Sequence, residues 1–134
     1  MRNALRALPL LFLFAACTTK KEMLNAPSDA GVKAVYKEAF DPVKKASMDS
    51  LAELGFSFKQ EGLKDEFTWW ALYSQGLSSG TAGRYARLTI AKGDVERTVY
   101  FHVKSKTESD EARKLDDLLA QDLHKKTAAR LAAK

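Results

Sequence analysis

Residues 84–104 read RYARLTIAKGDVERTVYFHVK, and their alternation of apolar and polar side chains decides the fold. Gly93-Asp94 separates residues 84–92 from residues 97–104, and this dipeptide favours the tight turn of a β-hairpin. In the second half, alternate residues form an apolar set and a polar set, namely Val99, Phe101 and Val103 against Thr98, Tyr100, His102 and Lys104. The split predicts an antiparallel sheet with one covered face and one face towards water.

Two more strands are predicted before this hairpin. Residues 56–58 alternate apolar and polar side chains, and residues 67–75 are rich in aromatic and β-compatible types. Between them, residues 60–66 predict a polar turn around Gly62. Residues 76–83 are rich in glycine and serine and predict a flexible loop.

A first helix is predicted to begin at Asp41-Pro42. The carboxylate can accept hydrogen bonds from the first free amides, and proline at the next position loses none. Apolar or small residues then recur at helical spacing, at Val43, Ser47, Leu51 and Leu54. Gly55 is predicted to end this helix.

A final helix is predicted after a capping stretch at residues 107–110. Its expected apolar stripe consists of Ala112, Leu115, Leu118, Leu119 and Leu123, with Asp116, Asp117 and Gln121 off the stripe. Residues 124–134 are alanine-rich and basic, and we expect a frayed helix end or a loose tail, with His124 near the helix C-terminus.

Residues 32–40 fit a strand by alternation and a helix by composition, and the strand is favoured. The predicted fold is therefore α+β: a mainly antiparallel sheet of four to five strands with two helices on one face. The element order is β-α-β-β-β-β-α, or α-β-β-β-β-α if residues 32–40 are helical.

The beginning of the chain has the pattern of an export signal. Arg2 and Arg6 precede the apolar run 7–14, and the small residues Ala15-Ala16 follow. This order is typical of a secretory signal peptide. The run is shorter than the roughly 20 residues that a membrane-spanning helix needs. An uncleaved anchor and a plain secretory signal with a free thiol are the alternatives.

The tetrapeptide Phe14-Ala15-Ala16-Cys17 resembles the lipobox of bacterial lipoproteins, although Phe14 stands where leucine is usual. The resemblance implies that residues 1–16 are removed and that Cys17 carries fatty acyl chains such as palmitate. It also implies that the protein is anchored on the periplasmic side of a membrane. Thr18, which is not aspartate, favours the outer membrane over the inner one. More than one acyl chain gives stable attachment.

The remaining chain divides into a lipidated cysteine and polar tether (residues 17–31), one domain (residues 32–123) and a basic tail (residues 124–134). The net charge is +5, and removing Arg2 and Arg6 lowers it by 2 to +3. Such a mild excess does not indicate a nucleic-acid partner. In its element order and in the helix-to-strand junction Ala-Glu-Leu-Gly-Phe (residues 52–56), the domain is similar to small α+β lipoproteins of unknown function and, more distantly, to accessory lipoproteins of outer-membrane protein assembly.

One motif suggests catalysis. Gly76-Leu77-Ser78-Ser79-Gly80 fits Gly-x-Ser-x-Gly, with Asp94 and His102 following in the chain order of an α/β-hydrolase triad. That motif needs a helix after the serine, whereas a strand is predicted here, so we expect a loop and no catalytic residues.

Cofactor and metal sites are not predicted either. The glycines of residues 76–83 lack the Gly-Lys-Ser/Thr sequence of a phosphate-binding loop. His102 and His124 lie on different elements, whereas a zinc site needs three or four ligands. We therefore expect no cofactor and no bound metal.

The dipeptide Trp69-Trp70 is the strongest indication of a binding surface in this sequence. Adjacent strand residues point to opposite faces, so one indole is predicted in the core and the other on the outer face. With Tyr85, Tyr100 and His102, the outer indole would form an aromatic binding surface. The alternative is an outer face covered by the tether or the tail.

These patterns predict a lipid-anchored binding or accessory module of the cell envelope, not an enzyme, with an envelope protein as its partner. An alternative is a structural lipoprotein that binds peptidoglycan or anionic lipid through the basic residues Lys125, Lys126 and Arg130. A small hydrolase or hydrolase inhibitor is a third possibility.

Overall fold

The computed structural model describes residues 20–76, 83–107 and 109–133. Within these ranges the helices are α1 (residues 20–25), α2 (Phe40–Glu53) and α3 (Asp110–Ala132). The strands in the same ranges are β1 (Val32–Tyr36), β2 (Ser57–Asp65), β3 (Thr68–Gln75), β4 (Arg84–Lys92) and β5 (Arg97–Ser105). The predicted α+β class and the β-α-β-β-β-β-α order are confirmed, and α1 precedes that order.

In the described part of the chain, the sheet has five strands in the order β1-β5-β4-β3-β2, and neighbours are antiparallel. The predicted hairpin forms its centre. Lys92 pairs with Arg97, and the amide of Gly93 donates to the carbonyl of Glu96 at 2.8 Å to close the turn. The alternation in β5 also holds, because Val99 and Phe101 are fully buried while Tyr100 is partly exposed.

The core lies between one face of the sheet and the pair α2 and α3. Burial of apolar surface there is the main source of stability. Its fully or almost fully buried side chains include Val43, Leu51, Leu88, Ile90, Val99, Phe101, Ala120 and Leu123. We call the opposite side of the sheet the outer face.

Helix α2 begins one residue earlier than the Asp41-Pro42 pattern predicts. Ala39 is the N-cap without a side-chain cap, and Asp41 lies in the first turn, where a negative charge is favourable. The predicted end is confirmed. Gly55 has a φ of +87°, which favours glycine, and the amide of Phe56 donates back to the carbonyl of Leu51 at 3.0 Å.

The predicted turn at residues 60–66 is wrong, because strand β2 runs through it to Asp65. β2 is an edge strand with mostly exposed side chains, so it has little apolar alternation to reveal it. It forms by pairing with β3, and Gly62 faces Trp70 in that register.

Of the two alternatives for residues 124–134, a frayed helix end or a loose tail, the loose tail is wrong as far as the structure describes it, because the helix α3 continues to Ala132. Ser109 caps its start, as expected for the stretch 107–110, and accepts from the amide of Ala112 at 3.0 Å. The predicted stripe is rotated. Leu115 and Leu118 are 50% and 58% exposed, while the buried positions are Asp116, Ala120, Leu123, His124 and Thr127.

The expected tether at residues 17–31 is folded from Lys20 onward. We call residues 20–31 the N-terminal segment. It lies on the outer face, where Met23 is fully buried against Leu72 and Tyr85. Gly31 leads into β1 with a φ of +100°, and a Cβ there would lie 2.4 Å from the carbonyl oxygen of Phe101. Among the described helices, none is long and apolar enough to cross a membrane.

Candidate functional site

The two tryptophans lie on opposite faces of β3, as predicted. Trp69 is 5% exposed, packs edge-to-face on Phe40, and donates from Nε1 to Oε2 of Glu61 at 3.1 Å. Lys44 Nζ lies 4.7 Å from its ring centroid. Trp69 is therefore a core residue, and Trp70 is the indole on the outer face.

Trp70 belongs to a row of residues across the outer face. It pairs with Thr89, Thr89 pairs with Tyr100, and Tyr100 pairs with Lys33. Trp70 and Tyr100 are two strand spacings apart, roughly 9.5 Å. Both are partly exposed, so the row presents two aromatic rings beside the N-terminal segment.

Tyr85 and His102 are less accessible than predicted. Tyr85 is 8% exposed because Met23 packs over it. His102 is partly buried, and burial, together with the charges of Arg87 and Lys104, lowers its pKa. Its Nδ1 has no hydrogen-bond partner among the described residues. Of the predicted surface, Trp70 and Tyr100 remain as the aromatic groups available for contact.

Arg87 fixes the N-terminal segment to the sheet. Its Nη1 donates to the carbonyls of Met23 at 2.7 Å and Ala26 at 2.8 Å, and its Nη2 donates to that of Pro27 at 2.5 Å. These carbonyls lie at and beyond the end of α1, where a cation is favourable. The side chain is only 4% exposed, and burial lowers the pKa of Arg87.

A cavity of about 340 Å³ lies between the N-terminal segment and the outer face. Lys64 stands at this cavity and donates from Nζ to the Ser28 hydroxyl at 2.7 Å. Trp70 also lines it, and its ring lies against Gly62, where a Cβ would come within 2.9 Å of Cζ2. The described lining consists of Leu24, Asn25, Ala26, Pro27, Ser28, Lys64, Thr68, Trp70, Arg87 and Thr89.

A second depression, of about 620 Å³, lies between β5 and the first turns of α3. It contains both signs of charge, with Lys104 and Arg113 near Asp116 and Asp117. Asp116 is already engaged, because it accepts from the amide and hydroxyl of Ser105 at 2.8 and 2.7 Å. This depression therefore has no clear preference for a charged ligand.

The structure does not bring Asp94 and His102 together. Asp94 lies in the β4–β5 turn, while His102 pairs with Arg87, five positions along the ladder from the Lys92–Arg97 pair. Five strand residues span roughly 17 Å. Ser78, Ser79 and Gly80 lie outside the described residues.

His124 is a buried structural residue, and its expected place near a helix terminus is wrong. Its Nδ1 lies 3.0 Å from the hydroxyl of Tyr36, and its Nε2 lies 2.7 Å from the carbonyl oxygen of Val32. The ring therefore joins α3 to β1. In the described part of the chain, no group of three or more His, Cys, Asp or Glu residues could hold a metal ion.

The basic residues near the C-terminus are largely paired. Lys126 and Arg130 both contact the carboxylate of Glu53, at 3.4 and 2.8 Å. The hydrogen bond from Arg130, followed by the charge of Lys126, lowers the pKa of Glu53. Lys125 is exposed.

The residues that the sequence patterns missed are Arg87 and Lys64. Arg87 had a usable signal, because it is a charged residue between the apolar Ala86 and Leu88 in the middle of a predicted strand. Lys64 had none, since it lies in the stretch taken for a turn. Comparison of the chain with protein-family models and with curated proteins found no match.

Proposed function

We propose that this protein is a lipid-anchored binding module of the cell envelope and not an enzyme. In this proposal, acyl chains on Cys17 hold the protein at the periplasmic side of a membrane, with the outer membrane favoured. The outer face of the sheet contacts an envelope partner. Anchoring raises the effective concentration of the module near partners at that membrane.

The observation that supports the contact surface best is the row Trp70–Thr89–Tyr100–Lys33. It lies beside the N-terminal segment, and its aromatic rings are partly exposed. Aromatic residues are enriched at protein interfaces because they present a large apolar area with a polar tip. α2 and α3 occupy the other face of the sheet. On the outer face the N-terminal segment covers Thr89, which is buried, but leaves Trp70 and Tyr100 partly exposed.

The alternative, attachment to peptidoglycan or anionic lipid through the C-terminal end, has less support. Lys126 and Arg130 share the carboxylate of Glu53, so much of their charge is already compensated. The interpretation as a hydrolase has less support still, since Asp94 and His102 are far apart along the hairpin.

The anchor is tested by mass spectrometry of the protein from the membrane fraction of its native host. We expect a mature chain that begins at Cys17 and carries acyl mass. In the Cys17→Ser variant we expect loss of the acyl mass and release from the membrane. A bare thiol on Cys17, or retention of residues 1–16 in the native protein, would refute the anchor.

The contact surface is tested by photocrosslinking in native envelopes. A benzophenone amino acid at position 100 should capture a discrete partner, and Trp70→Ala should reduce the yield several-fold. The same group at position 125, on the opposite side of the molecule's core, is the matched control. Capture that is equal at both positions, or insensitive to Trp70→Ala, would count against this surface.

A further inference from the structure

The cavity under the N-terminal segment has a positive lining and an aromatic wall. Its described lining includes the cations Lys64 and Arg87 and contains no aspartate or glutamate. Hydroxyl groups of Ser28, Thr68 and Thr89 add polar contacts. Because cations with hydroxyl neighbours bind oxyanions through charge-assisted hydrogen bonds, this lining favours an anionic ligand.

Arg87 gives a second, independent indication. Its side chain is 96% buried, yet its described contacts are with carbonyl oxygens and none is with a carboxylate. Among the described residues, its Nε has no hydrogen-bond partner. A buried guanidinium is costly unless its charge is compensated. An anion in the adjoining cavity would add the negative charge that the described surroundings lack.

Trp70 adds a preference for the rest of the ligand. Its indole lines the same cavity and is held against Gly62, which leaves the ring no room to move towards β2. A fixed aromatic surface is suited to stacking with a flat group. The cavity volume of about 340 Å³ is at the small end for ligand sites.

We infer that this cavity binds a small ligand with a carboxylate or phosphate group joined to a flat, apolar group. In the complex, Lys64 exchanges its hydrogen bond with Ser28 for one with the anion. The positive charge of Arg87, on the sheet side of the cavity, attracts the same anion. Trp70 stacks on the flat group. The inference rests on the proposed function and extends it, because the cavity lies on the same outer face and shares Trp70.

The test is an NMR titration of the full chain in detergent micelles, with ¹⁵N labelling to observe the indole N–H signal of Trp70. Trp70→Phe assigns that signal. The probes are benzoate, phenyl phosphate, inorganic phosphate and the neutral analogue benzamide. We expect saturable shifts with benzoate, phenyl phosphate or both, and the tighter of the two identifies the anionic group. Inorganic phosphate and benzamide should bind at least about tenfold more weakly, since each lacks one half of the ligand.

Lys64→Gln should weaken binding of the tighter probe about tenfold, which corresponds to the loss of a charge-assisted hydrogen bond. Lys64 is exposed, so this substitution leaves the core intact. Lys59→Gln is the matched control, because Lys59 is an exposed lysine of the same strand β2 but lies outside the cavity lining. It should leave the affinity unchanged.

Several results would overturn the inference. They are the absence of a shift with both aromatic anions, equal binding of benzamide, equal binding of inorganic phosphate, and an unchanged affinity in Lys64→Gln. If these occur while crosslinking at position 100 still depends on Trp70, the ligand inference fails and the proposed function stands. If anions bind but crosslinking fails at position 100, the partner surface is refuted and the ligand site is retained.

Discussion

Asp116 lies on α3 with its carboxylate held by the backbone and side chain of Ser105 in β5. It is 5% exposed, and Arg84 Nε lies 3.4 Å from its Oδ1. The side chain thus joins a helix to a strand through hydrogen bonds and one ion pair. A carboxylate in this position organises the packing of α3, although sequence periodicity assigns it to the solvent side.

Asp116→Ala should lower the free energy of unfolding by about 2–4 kcal/mol, because it leaves the buried amide of Ser105 without an acceptor. The measurement is a urea unfolding curve. Asp117→Ala is the matched control, since Asp117 is the exposed neighbour, and its effect should stay within about 0.5 kcal/mol. Equal effects of the two substitutions would show that Asp116 has no special role.

His124 makes the stability depend on pH. Burial lowers its pKa below the ordinary 6.5, and the hydrogen bond with Val32 opposes this only in part. The unfolded chain therefore takes up a proton near pH 6.5, while the folded chain resists it. Stability should be highest above pH 6.5 and should fall as the pH drops through that value towards the lower pKa of the folded state. Burial lowers the pKa of His102 as well, so both residues contribute to the fall.

The substitution His124→Gln should remove one of the two histidine contributions to the loss of stability at low pH. At pH 7.5 it should cost about 1–3 kcal/mol, since Tyr36 and Val32 lose their partner. Between pH 7.5 and 5.5, however, its urea midpoint should fall less than that of the wild type. A pH dependence identical to that of the wild type would contradict the assignment of His124 as a titrating buried group.

At the scale of elements, the N-terminal segment depends on one side chain of β4. Arg87→Met keeps the length and the apolar stem but leaves the carbonyls of Met23, Ala26 and Pro27 without their donor. We expect a loss of about 2–4 kcal/mol and faster hydrogen exchange in residues 20–31 than in β4. Hydrogen exchange followed by mass spectrometry measures both regions in one experiment.

Arg97→Met is the control for Arg87→Met. Arg97 also donates to backbone carbonyls, those of Glu38 and Gly93, but at an exposed site. Its effect should stay below about 1 kcal/mol, with no change in exchange of the N-terminal segment. If residues 20–31 exchange as fast in the wild type as in the Arg87→Met variant, Arg87 does not hold the segment on the sheet.

The elements that the sequence predicts well are those whose pattern reports burial directly. β5 alternates because one face packs on α3, and α2 ends where Gly55 adopts a positive φ. The start of β2 is predicted by residues 56–58. The rest of β2 is not, because an edge strand exposed on both sides has no alternation of apolar and polar side chains. The stripe of α3 is misplaced because the polar side chains Asp116 and Thr127 are buried, while Leu115 and Leu118, which periodicity assigns to the core, are exposed.

At the scale of the molecule, the candidate site could be predicted only in part. The separation of Trp69 from Trp70 follows from strand geometry alone, but the choice between them needs the register of β3. The cavity could not be predicted, since it arises where residues 24–28 meet Lys64 and Arg87, which are distant in sequence. A segment that reads as a polar tether gives no sign that it folds onto a sheet.

The fold also predicts how an acylated molecule stands on a membrane. α1 begins near the end of the sheet that contains Lys104, since Glu22 pairs with that lysine. The β4–β5 turn lies seven positions further along the ladder, roughly 24 Å away. In liposomes that carry a headgroup quencher, a fluorophore at Lys20→Cys should be quenched much more strongly than one at Val95→Cys. Equal quenching at the two positions would exclude this orientation.

The packing of Met23 against Leu72 and Tyr85 limits how far an acylated module could reach from its membrane. Cys17 precedes Lys20 by three residues, a span of at most about 11 Å. If that cysteine carries the proposed acyl chains, the folded domain would be held within about this distance of the lipid surface. An acylated molecule of this kind would then reach partners at the bilayer surface and not partners farther into the compartment.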